Sequence, residues 1–184
     1  MTEINLRTKN LVNYGPSGRA IAQPMDAGLL DNFFEHLTME RFANVQYFSI
    51  YLWFQERDLD GFASYFLKES QGEMEHAYKF ANYLIARGQN IKLKELPAPL
   101  QIWDSIDDLI SYSFNMEADL TSSLQQLYSI SERISDTRSN VFLDPIVDAQ
   151  IKSEDEFAHL LGKVKFASNQ PSAILLINSD LKIK

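Results

Sequence analysis

The chain has 184 residues, enough for one domain with a sizeable core, and its 45% hydrophobic and 12% aromatic content argues for a packed globule. A formal charge of −8 and a pI near 4.9 speak against nucleic acid or an acidic membrane surface as a main partner. The absence of cysteine excludes disulfides, thiolate metal sites and cysteine catalysis.

Residues 1–25 read as an extended polar arm, punctuated by Tyr14-Gly15-Pro16-Ser17-Gly18 and Pro24, with no apolar secretory core. No run of the chain reaches transmembrane length, so a cytoplasmic protein is the expectation. A first amphipathic helix is predicted from Asp26 to about Glu56. Its seam runs Leu30, Phe33, Leu37, Glu40, Asn44, Tyr47, Tyr51 and Phe54, at spacings of three and four. After a short turn at Asp58-Leu59-Asp60-Gly61, a second helix extends to Arg87, with Gly88 as its stop. Its seam is Phe62, Phe66, Glu69, Glu73, His76, Phe80 and Tyr83. Residues 89–102 contain Pro97 and Pro99 and no helical period. A third helix is predicted from an N-cap at Asp104 to about Ile134, along Ile106, Ile110, Ser113, Glu117, Leu120, Leu124 and Leu127. Asp136 to Asn140 read as a polar break. A fourth helix then spans 141–168 on Leu143, Val147, Gln150, Glu154, Phe157, Leu161 and Val164, with Pro145 in its first turn. Beyond Pro171 the segment Ser172 to Ile177 is a short apolar piece.

Short turns make helices one and two, and three and four, antiparallel hairpins. The link between the hairpins has about fourteen residues and can stretch roughly 45 Å at about 3.3 Å each. A helix of about 28 residues is roughly 42 Å long, so the link can run the length of the bundle and set helices two and three parallel. In that arrangement Glu40, Glu73, His76, Glu117, Gln150 and Glu154 all come near mid-bundle.

A carboxylate on a core seam costs several kcal/mol unless it is paired or takes up a proton. No seam Lys or Arg lies near these, since Arg87 stands three turns beyond His76. A bound pair of divalent metals would compensate them together. One metal would take Glu40, Glu73 and His76; Glu73 could bridge to a second, held by Glu117 with Gln150 or Glu154. Carboxylates with one imidazole suit iron or manganese. Tyr47, two turns after Glu40, could hydrogen-bond a ligand or donate an electron. Glu69 is either a relay that hands a cation to the site or a protonated or hydrogen-bonded carboxyl. A second Glu-x-x-His, Glu156 to His159, falls off its seam and is read as a solvated or inter-subunit face; His36 is likewise off its seam.

At these residues the chain resembles the ferritins, specifically the prokaryotic non-haem type. Glu40, Tyr47, Glu73-x-x-His76, Glu117 and Gln150 stand in the order and spacing of that family's ferroxidase centre. The arm motif Gly15-Pro16-Ser17-Gly18-Arg19-Ala20 and the stretch Ser135-Asp136-Thr137-Arg138 are similar to a cyanobacterial kind. The resemblance covers about residues 25 to 180. It implies an all-α, ferritin-like four-helix bundle with a long second-to-third helix crossover and a short fifth helix, over residues 26–184. It further implies a homo-oligomeric 24-subunit cage, with Fe(II) oxidised by dioxygen or peroxide at an intrasubunit di-iron centre and stored as ferric mineral. Gly72, Ala149, Lys152 and Ser153 stand where many bacterial members bind a third iron, so that site is expected to be missing. Asn140 and Leu143 replace the acidic residues of animal three-fold channels, which leaves Asp144 as the nearest cation attractor, with Asp136 and Asp148 as weaker candidates. Met74 matches a haem-ligand position of bacterioferritins, but non-haem members share it and no haem is expected. The competing functional class is a small di-iron oxidoreductase of rubrerythrin type without a cage. A non-catalytic helical scaffold would instead need its seam carboxylates protonated or paired.

Overall fold

The computed structural model describes residues 12–182 and is an all-α bundle carrying one small β-hairpin. The helices are α1 (Ala27–Gln55), α2 (Asp60–Ala86), α3 (Ile106–Arg133), α4 (Thr137–Ala167) and α5 (Pro171–Leu181). Helix α1 packs along α2 and α3 along α4, while α5 folds back onto α2 and α4. This is the four-helix bundle that the seams predict, with the short fifth helix that the resemblance implies. Among the described residues no helix is long and apolar enough to cross a membrane.

The crossover between α2 and α3 runs beside α1, held by polar side chains that face away from the seam. Gln46 exchanges two hydrogen bonds with the Leu100 backbone, Nε2 donating at 2.9 Å and Oε1 accepting at 2.8 Å. Ser49 Oγ donates to the same carbonyl at 2.9 Å, and Arg41 donates to the Lys94 carbonyl at 3.0 Å. An extended segment can satisfy its backbone groups this way without a sheet.

Three boundaries differ from the sequence reading. The part of the arm that is described forms a two-stranded antiparallel hairpin, β1 (Asn13–Tyr14) with β2 (Ala20–Ile21); residues 1–11 of the arm lie outside the described residues. Its turn docks on the end of α2, where Ser17 donates to the Gly88 carbonyl from both N–H and Oγ, at 3.1 and 2.9 Å. Gly15 permits this approach, because a Cβ there would stand 2.4 Å from the Gly88 oxygen. Helix α3 is capped by Ser105, whose Oγ accepts from the Asp108 N–H, rather than by Asp104.

Helix α4 begins at Thr137, so the polar run read as a break is its cap and first turn. Asp136 is the N-cap residue, its carboxylate facing the Ser139 N–H and bound to Arg87 Nη2 at 2.7 Å. Asp, Ser and Thr favour that position because their oxygens satisfy the free N–H groups of a first turn. Pro145 therefore lies inside the helix and removes one backbone hydrogen bond, at a solvent-exposed position.

The apolar core divides into two clusters. One holds Tyr47, Ile50, Phe54, Phe62, Phe66, Leu109, Ile110, Phe157 and Val164. The other holds Leu29, Phe33, Leu37, Phe80, Leu84, Leu124, Leu127 and Leu143. The seam carboxylates occupy the layer between them.

Candidate metal centre

Each of the four long helices delivers a polar side chain to that layer from a buried seam position. Glu40 (α1), Glu73 (α2), Glu117 (α3) and Gln150 (α4) are all at most 6% exposed. One turn beyond Glu73, His76 is about a quarter exposed and turns Nδ1 toward the two carboxylates, 3.2 Å from Glu73 Oε2 and 3.6 Å from Glu40 Oε2. Glu40, Glu73 and His76 each offer one ligand atom within 4.8 Å of the others, a spacing compatible with a shared metal ion. Glu40 Oε2 is buried and has no hydrogen-bond partner, although nearly all buried polar atoms have one. An oxygen left so, beside a second carboxylate and an imidazole, fits a cation.

Tyr47, Glu117 and Gln150 form a second, hydrogen-bonded group. Tyr47, fully buried, donates its hydroxyl to Glu117 Oε1. Gln150 Nε2 donates to Glu117 Oε2 at 2.9 Å and to the Glu117 carbonyl at 3.2 Å. Glu154 is half-buried and accepts from Thr121 Oγ1. Of the two residues read as alternative ligands, Gln150 thus touches the carboxylate layer, while Glu154 is engaged at its edge. Glu69 lies half-buried on α2. Asp144 is exposed on α4 and accepts from Tyr128 at 2.9 Å. Asp136 is committed to the cap and to Arg87, which removes it as a free channel carboxylate. Glu156 and His159 are exposed, as their register implies.

The electrostatics are those of a site holding too much negative charge for its solvent. Burial pushes Glu73 well above the ordinary carboxylate range, and Glu40 beside it adds to the effect. Burial pushes Glu40 in the same direction, but His36 and His76 outweigh it and hold Glu40 below its usual value. The two carboxylates bring His76 up to about 10. Burial raises Glu117, against the hydrogen bonds from Tyr47 and Gln150. Burial and the Glu117 charge raise Tyr47 well above its normal value, so the phenol stays neutral and donates. Burial and the charges of Glu117 and Glu156 bring Glu69 up to about 7.

His36 is where the seam reading fails. It is wholly buried, and its Nε2 stands 2.9 Å from Glu40 Oε1. Helix α1 is buried over a wider face than one seam, including His36, Ala43, Gln46 and Ile50, because α2, α3 and the crossover all pack against it. The spacing of four between His36 and Glu40 was the available signal, since residues one turn apart share a face.

An antiparallel bundle with a long crossover, carrying buried carboxylates and imidazoles between two apolar clusters, is the arrangement of helical proteins that bind metal through carboxylates. A family model described as a ferritin-like domain matches residues 31–167. The chain is 27% identical over 147 residues to the bacterial non-heme ferritin of Bacteroides fragilis, covering 80% of this chain and 91% of that one. It is 30% identical over 135 residues to the ferritin-1 heavy chain of Schistosoma mansoni, covering 69% and 78%. Among solved structures, an iron-soaked PmFTN variant superposes with a TM-score of 0.80 at 29% identity, over 84% of this chain and 98% of that one. The open-pore ferritin of Archaeoglobus fulgidus shares the fold, with a TM-score of 0.84 at 20% identity over 88% and 99%. The chain belongs to the ferritin family.

Proposed function

We propose that the protein is an iron-storage ferroxidase of the prokaryotic non-haem type, with residues 1–25 as its arm and 26–184 as its di-iron domain. The observation that carries this reading is the group of buried Glu40 and Glu73 with half-buried His76, with an unpartnered Glu40 oxygen in a layer between two apolar clusters. Fe(II) is the substrate. Glu40, Glu73 and His76 hold one ion, and Glu73 with Glu117 holds a second, completed by Gln150 or Glu154. Each Fe(II) pair gives up two electrons, which reduce dioxygen to hydrogen peroxide or peroxide to water. Tyr47 holds Glu117 in place and is a buried phenol able to supply a further electron.

Glu69 and Asp144 are the proposed transit carboxylates, Asp144 attracting cations at the surface and Glu69 passing them inward. Glu69→Gln and Asp144→Asn are expected to slow iron loading severalfold while leaving the number of Fe(II) ions bound at the centre unchanged. Normal loading in both, followed by stopped-flow absorbance, would remove the transit role.

Storage requires a cage, and the mass of the apo protein tests this directly. Light scattering after size exclusion is expected to give roughly 500 kDa, the mass of 24 chains of 21.1 kDa in a closed assembly. A dimer would instead leave the same centre in a small di-iron oxidoreductase.

A further inference from the structure

His36 is tied on three sides. Its Nδ1 is 2.9 Å from Ser123 Oγ on α3, its ring centroid lies 4.4 Å from that of Phe80 on α2, and its Nε2 faces Glu40 Oε1 at 2.9 Å. Nε2 makes no aligned hydrogen bond, so the contact is electrostatic. Ser123 thus holds one ring nitrogen while Glu40 faces the other, whichever tautomer the ring adopts. Glu40 is thereby split into two unlike oxygens. Oε1 is turned to His36, while Oε2 is turned to His76 and has no hydrogen-bond partner.

We propose that His36, braced by Ser123, is a positioning residue that engages Glu40 through Oε1 and so presents Oε2 alone to the metal. The proposal rests on the metal-centre reading above. His36 is outside the group whose ligand atoms lie within 4.8 Å of one another, which is why it acts through Glu40 rather than on the ion. Partners of this kind fix the orientation of a ligand, and their loss costs about 10–100-fold in metal affinity.

The test uses Co(II), whose visible absorption reports its coordination, titrated anaerobically into the assembled apo protein. His36→Leu is expected to weaken binding at the high-affinity site by about 10–100-fold and to change the shape of the Co(II) bands, because Glu40 is then free to turn. His36→Gln keeps an N–H donor at similar reach and is expected to restore most of the affinity and the wild-type bands. Ser123→Ala is expected to lower affinity less, in the same direction. Wild-type affinity and bands in His36→Leu overturn the proposal, as does an equal loss in His36→Leu and His36→Gln, which would mark a packing defect. If His36→Leu does not fold, Ser123→Ala decides, and unchanged affinity and bands there overturn the proposal. A wild-type protein that binds no Co(II) overturns the metal-centre reading together with this one, whereas normal wild-type binding with an unaffected His36→Leu overturns this one alone.

Discussion

Replacing Glu73 or His76 by Ala is expected to remove the rapid phase of aerobic Fe(II) oxidation, lowering its rate by at least about 100-fold. Loss of a residue that merely orients a ligand costs about 10–100-fold, and these two would supply ligand atoms themselves. The measurement is stopped-flow absorbance of apo protein mixed with Fe(II) and air. A retained fast phase in both variants would move the centre elsewhere. Glu73 is also a burden on the apo protein, because it is buried beside Glu40 and its proton affinity is raised by that burial. Glu73→Gln should therefore raise the thermal midpoint of the apo protein while abolishing fast oxidation, by roughly 2–4 °C for each kcal/mol relieved. A pH dependence follows with a definite sign. Without metal, His76 titrates at about 10 and is protonated at neutral pH, and burial shifts Glu73 in the same direction, toward holding its proton. A metal ion must displace those protons, and its affinity is expected to rise with pH by up to about tenfold per unit for each proton displaced.

Gly61→Ala is expected to produce the largest loss of stability, about 3 kcal/mol or more, because it drives a methyl group into the backbone of α5. A Cβ at Gly61 would lie 1.7 Å from the Asn178 carbonyl oxygen, a collision that a side-chain rotation cannot relieve. Helix α5 would have to move away. Its Asn178 Oδ1 accepts from the Gly61 and Phe62 N–H groups at 2.8 and 3.1 Å, and so caps the start of α2, which has no side-chain cap of its own. Each buried donor left unpaired costs about 1–3 kcal/mol. Thermal unfolding followed by circular dichroism should show the loss, and Asn178→Ala a smaller one. A wild-type midpoint for Gly61→Ala would contradict the close approach. Helix α5 also exposes Leu175 and Leu176, and α4 ends at an exposed Phe166. Detaching it should therefore lower the assembled mass as well.

Much of the fold was legible in the seams. Phe33, Leu37, Phe54, Phe66, Phe80, Leu124 and Phe157 are buried as a repeat of three and four demands, and the seam residues Glu40, Glu73, Glu117 and Gln150 are buried with them. The N-terminus of α4 was less legible, because Asp136 and Ser139 are equally common in loops and in helix caps. The ion pair with Arg87, the C-cap residue of α2, selects the cap. The hairpin at residues 13–21 depends on Gly15 meeting Gly88, an approach between segments far apart in the chain.

For the site, the sequence by itself determined which helix carries each carboxylate and that all lie near mid-bundle. Helical periodicity is local, and a charge at a core position is costly wherever the helix packs. The tertiary structure alone decided that His36 is buried against Glu40, that Gln150 reaches Glu117, and that Glu154 turns to Thr121. A seam traces one line along a helix, whereas packing against several neighbours buries a broad face. Which side chains meet across that face depends on how the helices are set against one another, and no single helix carries that information.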